Sequence, residues 1–82
     1  MKEYKKFAKE VLNTLGINYD GKLPDMIEKI RPGREFLMSS TDFEIYNLRI
    51  KIAEGIKNRE SLENLIGYHN KLKDRIEYSI WE

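Results

Sequence analysis

The chain contains no cysteine. That removes disulfides, thiolate nucleophiles and cysteine-ligated zinc together, and it fits a reducing compartment. Histidine is nearly absent too, with His69 alone. Without several such residues a transition-metal site lacks its usual ligands, and no cofactor is expected. The five glycines are scattered, so no Gly-rich phosphate loop exists. No apolar run approaches the ~20 residues that span a bilayer. No uninterrupted apolar segment follows the N-terminal lysines, so no signal peptide is expected, and the location expected is cytoplasmic. An excess of one charge is also missing: 15 basic residues face 14 acidic ones, a net charge of +1. Splitting the chain after Thr41 gives 8 basic against 6 acidic residues, then 7 against 8. Neither half is the basic module that many phosphate contacts would require.

What remains is the material of one small domain spanning all 82 residues. Nine aromatics and ten isoleucines can be buried, which argues against disorder. A chain this short still has one modest core and little spare stability. Lysine, isoleucine, asparagine and glutamate abound, while Ala8 and Ala53 are the only alanines. AT-rich codons favour that bias, which points to a low-GC bacterium or its phages.

Ser39-Ser40-Thr41-Asp42-Phe43-Glu44 is the strongest local signal. Ser, Thr and Asp accept hydrogen bonds from a helix's first free N–H groups, and Glu44 stands three residues after Thr41, as in a capping box. A helix from Thr41 to about Lys57 should follow. Its apolar residues cover more than half the circumference, leaving Glu44, Asn47, Lys51, Glu54 and Gly55 on the rest, so it should sit between neighbours. Leu48 to Ile52 alternates like a strand, but the cap and the Ala53-Glu54 continuation favour helix.

Tyr4, Phe7, Ala8, Val11, Leu12 and Leu15 trace an amphipathic helix over roughly Lys2 to Leu15. Gly16 suits the left-handed residue that closes it, with Ile17 folding back on Leu12. A loop over 18–22 leads to a short helix opened by Pro24, with Asp25 against its dipole. Leu23, Met26, Ile27 and Ile30 form its apolar face. Pro32-Gly33 ends it. Arg34 to Met38 reads as a connector, with Phe36, Leu37 and Met38 entering the core. Asn58 can end the third helix, and Asn58 or Ser61 can cap the fourth. Leu62, Leu65, Ile66, His69, Leu72, Ile76 and Ile80 then form a stripe to the end, with Gly67 read as a place where another helix comes close. The expected fold is all-α, a compact bundle of three main helices plus one short helix.

Catalysis finds little support. His69 lies on an apolar stripe, where a packed ring bonded to the backbone is the plainer reading. No nucleophile elbow places Ser39, Ser40, Ser61 or Ser79 beside it. Asp20, Asp25 and Glu28 lack the spacing of a calcium loop. A small bundle offers little room for a sugar cleft between paired acids. The chain is read as no enzyme.

Three features suit binding. Lys2, Lys5, Lys6 and Lys9 share one face of the first helix and would grip phosphates or an acidic partner, against the plain reading of a solvated face diluted by Glu3 and Glu10. Lys29, Arg31 and Arg34 bracket the Pro32-Gly33 turn as a second basic spot. Arg49 falls in the apolar arc of the third helix, so it must be paired, reach solvent or meet a partner protein. Tyr78 and Trp81 crowd the last turn as a lid or as contact residues; with Arg49 they are the candidate partner-binding set. A helix-turn-helix is disfavoured. The stretch from Pro32 to Ser40 is long for one, and Glu44 and Glu54 would repel phosphates.

The expectation is therefore a protein-binding regulator or inhibitor without catalytic chemistry, encoded by a phage or mobile element and blocking a larger host protein, with an anti-defence protein such as an anti-CRISPR as one form. A homodimer would also cover surplus apolar surface. The alternative is a nucleic-acid-binding accessory protein using Lys2, Lys5, Lys6 and Lys9. Small helical bacteriocin-immunity proteins share this size and architecture, though no motif carries a resemblance to them.

Overall fold

The computed structural model describes residues 2–33 and 40–81, the last three of these by backbone alone. Four helices follow one another: α1 (Lys2–Thr14), α2 (Leu23–Ile30), α3 (Ser40–Lys57) and α4 (Leu62–Trp81). The fold is an all-α bundle of three main helices and one short one. Leu48 to Ile52 is helical within α3, and the strand reading ends there.

Helix α1 buries Phe7, Ala8, Val11 and Leu12. Gly16 closes it at φ +77°, with Ile17 N–H donating to Leu12 carbonyl at 2.8 Å and Gly16 N–H to Asn13 carbonyl at 3.0 Å. This is the Schellman ending that the Leu-Gly-Ile order anticipates. The loop then folds Tyr19 over α2: its hydroxyl donates to Asp25 Oδ2 at 3.3 Å, and the Lys29 ammonium lies 4.7 Å from its ring centroid.

Helix α2 lies between α1 and α3, with Met26, Ile27 and Ile30 in the core. Helix α3 packs most extensively on α4, while α1 meets α4 only lightly. Glu44 pairs with Arg75 at 2.7 Å near one end of the α3–α4 contact, and Gly55 abuts Leu65 near the other, so the two helices run antiparallel. Ile52, Ala53, Ile56, Leu65 and Leu72 complete the core.

Several local expectations need correction. Glu44 does not reach back to Thr41, because its carboxylate finds the Arg75 guanidinium on α4. Ser39 and the core residues expected at Phe36, Leu37 and Met38 lie outside the described residues, as does Arg34. Asn58 does not take the left-handed position that ends α3. Arg59 does, at φ 57°, with Glu60 N–H donating to Gly55 carbonyl at 2.8 Å. Ser61 caps α4, its hydroxyl accepting from Asn64 N–H at 3.3 Å. Gly67 marks no close approach, since a Cβ there would meet nothing within 4 Å. Gly55, assigned to the polar arc, is buried instead: a Cβ would stand 2.5 Å from Leu65 Cδ2. Ile66, assigned to the core stripe, is 50% exposed.

Candidate interaction surface

The candidate residues fall into three separate settings. Lys2, Lys5, Lys6 and Lys9 are all exposed on α1, opposite its buried face. Lys9 carries a partner, Asp20, at 3.6 Å. Lys6 edges a shallow groove of ≈ 230 Å³ with Glu3 and Glu10, over Phe7, Leu62 and Ile66. The lysine face is therefore real as a surface, and acids border it.

Arg49 is turned inward, onto the end of α2. Its Nε donates to Ile30 carbonyl at 2.8 Å, and its Nη2 lies 3.3 Å from the carbonyls of Lys29 and Arg31. These are the carbonyls that a helix leaves unmatched at its C-terminus, where a cation also suits the dipole. The charge within the apolar arc of α3 is thereby paired inside the fold. Arg31 of the second basic spot is likewise engaged, by Glu54 and by Glu28, the latter at 3.5 Å. The hydrogen bond from Arg31 holds the Glu54 carboxyl below the ordinary carboxylate range. Lys29 lies over the Tyr19 ring.

Tyr78 is 57% exposed on α4. Trp81 ends that helix, and its side chain lies outside the described residues. Sequence reasoning missed Phe43, which is 52% exposed, because apolar character on so broad an arc does not say which residues lie beneath neighbours. Ile66 was missed for a related reason: it lies next to Leu65 on the rim of the apolar stripe.

His69 is buried, with its ring edge-on to Phe7 at a centroid distance of 5.6 Å. Its Nε2 lies 2.8 Å from Thr14 Oγ1. Burial is the main cause of a pKa below the ordinary histidine value; Lys73 adds to the effect and Glu10 opposes it. The ring is thus built into the α1–α4 contact. Among the described residues no group of three or more histidine, aspartate or glutamate side chains is placed to hold a metal ion, and no helix is long and apolar enough to cross a membrane.

Two larger clefts flank α3. One, of ≈ 460 Å³, runs between α3 and α4 and is lined by Glu44, Asn47, Leu48, Lys51, Asp74 and Arg75 together with Lys71. The other, of ≈ 340 Å³, lies between the start of α2 and the end of α3, lined by Leu23, Pro24, Ile27, Glu28, Ile56, Lys57 and Arg59. The chain matches no protein-family model, no curated protein and no solved structure.

Proposed function

We propose that this protein is a non-catalytic, protein-binding regulator or inhibitor. In its concrete form it acts in the cytoplasm of a low-GC bacterium on a larger host protein, and a phage or mobile element encodes it, as with anti-defence proteins. The observation that carries this reading is the exposure, among the described residues, of three large apolar side chains, Phe43, Ile66 and Tyr78, on helices whose surface is otherwise mostly charged or polar. Two are aromatic, the class enriched where proteins meet. The placement of the sole histidine in packing supports the reading as well.

The test is affinity capture from a low-GC host lysate, using the wild-type chain and a Phe43→Ser/Tyr78→Ser variant as baits. Wild type should retain a specific protein that the variant loses. Retention of nothing specific by the wild-type bait removes the proposal. Molecular mass in solution is measured alongside, because a homodimer would cover the same side chains with a second copy.

A second reading is nucleic-acid binding through Lys2, Lys5, Lys6 and Lys9. It is favoured by one observation, the exposure of all four on a single face. It predicts binding that falls steeply with salt and is lost when these lysines become glutamate. A flat gel-shift titration at low salt would dispose of it.

A further inference from the structure

The cleft between α2 and α3 differs from the others in its chemistry. Its floor is apolar: Ile27 and Ile56 are 8% and 2% exposed, and half-buried Leu23 and the Pro24 ring complete it. Its volume of ≈ 340 Å³ lies near the lower end of small-ligand pockets, about 300–1,000 Å³. Its rim carries Lys57 and Arg59, both exposed, and neither takes part in an ion pair among the described residues. The one acid on the rim, Glu28, lies 3.5 Å from Arg31 Nε. Glu54, whose charge Lys57 also feels, is likewise held by Arg31. The uncompensated charge at the cleft is therefore positive.

The α3–α4 groove also carries one cation in excess, Lys51, Lys71 and Arg75 against Glu44 and Asp74, but its lining is charged or polar except for Leu48, so it offers no apolar floor. The α1–α4 groove mixes Lys6 with Glu3 and Glu10.

The turn that presents Arg59 is held rigidly. Arg59 N–H donates to Ile56 carbonyl at 3.1 Å, and Glu60 N–H to Gly55 carbonyl at 2.8 Å. From α1 the Tyr4 hydroxyl reaches Glu60 carbonyl at 2.8 Å and Arg59 carbonyl at 3.2 Å. Arg59 also occupies left-handed backbone, φ 57°, that glycine would take without strain. The backbone thus anchors an exposed arginine beside an apolar hollow, at a position where local geometry favours glycine.

We propose that this cleft seats a bulky apolar side chain from an acidic segment of a protein partner, with Lys57 and Arg59 binding the carboxylates that flank it. The proposal rests on the protein-binding reading and adds a second contact to the exposed Phe43, Ile66 and Tyr78. A fixed apolar pocket supplies the anchor, and the two cations supply selection against basic segments.

The test uses ¹⁵N-labelled full chain and two blocked tetrapeptides, acetyl-Asp-Leu-Phe-Glu-amide and acetyl-Lys-Leu-Phe-Lys-amide. The acidic peptide should shift the amides of Ile27, Ile56, Lys57 and Arg59 saturably. The basic peptide should bind about tenfold more weakly or worse, as expected where like charges meet. Lys57→Glu and Arg59→Glu should each weaken the acidic peptide by a similar factor, with the remaining amide spectrum unchanged. Asn70→Ala, at an exposed position of α4 away from the cleft, should leave it unaffected. Equal binding of the two peptides overturns the proposal, as do shifts that map to Phe43 and Tyr78 or no cleft shifts at all. If the cleft fails while the wild-type bait still retains a partner that the Phe43/Tyr78 variant loses, the protein-binding reading stands and only the cleft contact falls.

Discussion

The Thr14 hydroxyl and the His69 ring share a hydrogen bond. Oγ1 and Nε2 are 2.8 Å apart, and the same hydroxyl lies 3.1 Å from Glu10 carbonyl. The pair joins the last turn of α1 to the middle of α4, where the two helices meet only lightly.

This ring makes stability depend on pH in a window of its own. Burial, the largest cause, lowers the folded pKa of His69 below its ordinary value of 6.5. Between those two values the unfolded chain binds a proton that the folded chain does not, so stability rises with pH there. Stability should be level above pH 6.5 and decline as pH falls toward the lowered folded value. Carboxylates ordinarily titrate lower, near pH ~4, and His69 is the only histidine, so this decline belongs to one residue. Urea unfolding at a series of pH values measures it. His69→Phe keeps an aromatic edge against Phe7 and should flatten the curve; an unchanged slope would exclude His69 as its source.

Arg49 should prove a structural residue of the first rank. Replacement by methionine keeps the stem but leaves the α2 carbonyls of Lys29, Ile30 and Arg31 without their donor. A loss of about 1.5–3 kcal/mol is expected, the range for hydrogen bonds to a charged group. Lysine should rescue only part of it, because a point charge cannot span three carbonyls as a planar fork does. Denaturant midpoints of the two variants test this. Full rescue by lysine would mean that charge, not geometry, carries the contact.

The residues differ in how openly the sequence displays their roles. The α1 ending was legible because Gly16 and Ile17 act on atoms within a few residues of themselves. The capping box was misread because spacing along the chain is silent about Arg75, which offers Glu44 a full charge across the bundle. Arg49 was half legible: a cation in an apolar arc must be paired, but only the placement of α2 says with what. Gly55 and Gly67 look alike in sequence, and which one meets a neighbour depends on where α4 crosses α3. The binding candidates were the least legible, since exposure of Phe43 and Ile66 follows from packing between helices, whereas periodicity only ranks faces within one.

The two glycines give opposite predictions. Gly67 is exposed and mid-helix, with open space where a Cβ would go, so Gly67→Ala should stabilise by about 1 kcal/mol through helix propensity. Gly55→Ala gains the same propensity, but its Cβ would stand 2.5 Å from Leu65 Cδ2 and 2.8 Å from Glu60 Oε2. Glu60 can swing aside. Leu65 is fully buried and cannot move without disturbing α4. Overpacking of this kind costs about 1–3 kcal/mol, so the net effect should be destabilising. Thermal unfolding of both variants checks the signs; stabilisation by Gly55→Ala would show that α3 and α4 do not pack this closely.

Arg59→Gly separates fold from binding at a single position. A side chain in left-handed backbone costs about 1–2 kcal/mol, which glycine avoids. Glycine in turn makes the unfolded chain freer and gives back about 0.5–1 kcal/mol of that gain. The Schellman bonds from Arg59 and Glu60 N–H use only backbone and survive the change. The variant should therefore unfold at urea no lower than wild type, with a gain of about 0–1.5 kcal/mol. It should also bind the acidic tetrapeptide more weakly, because one of the two rim cations is gone. Higher stability together with weaker peptide binding would identify Arg59 as a residue held in strained backbone for recognition. Lower stability would mean that its side chain supports the turn, and the strain would then need no functional account.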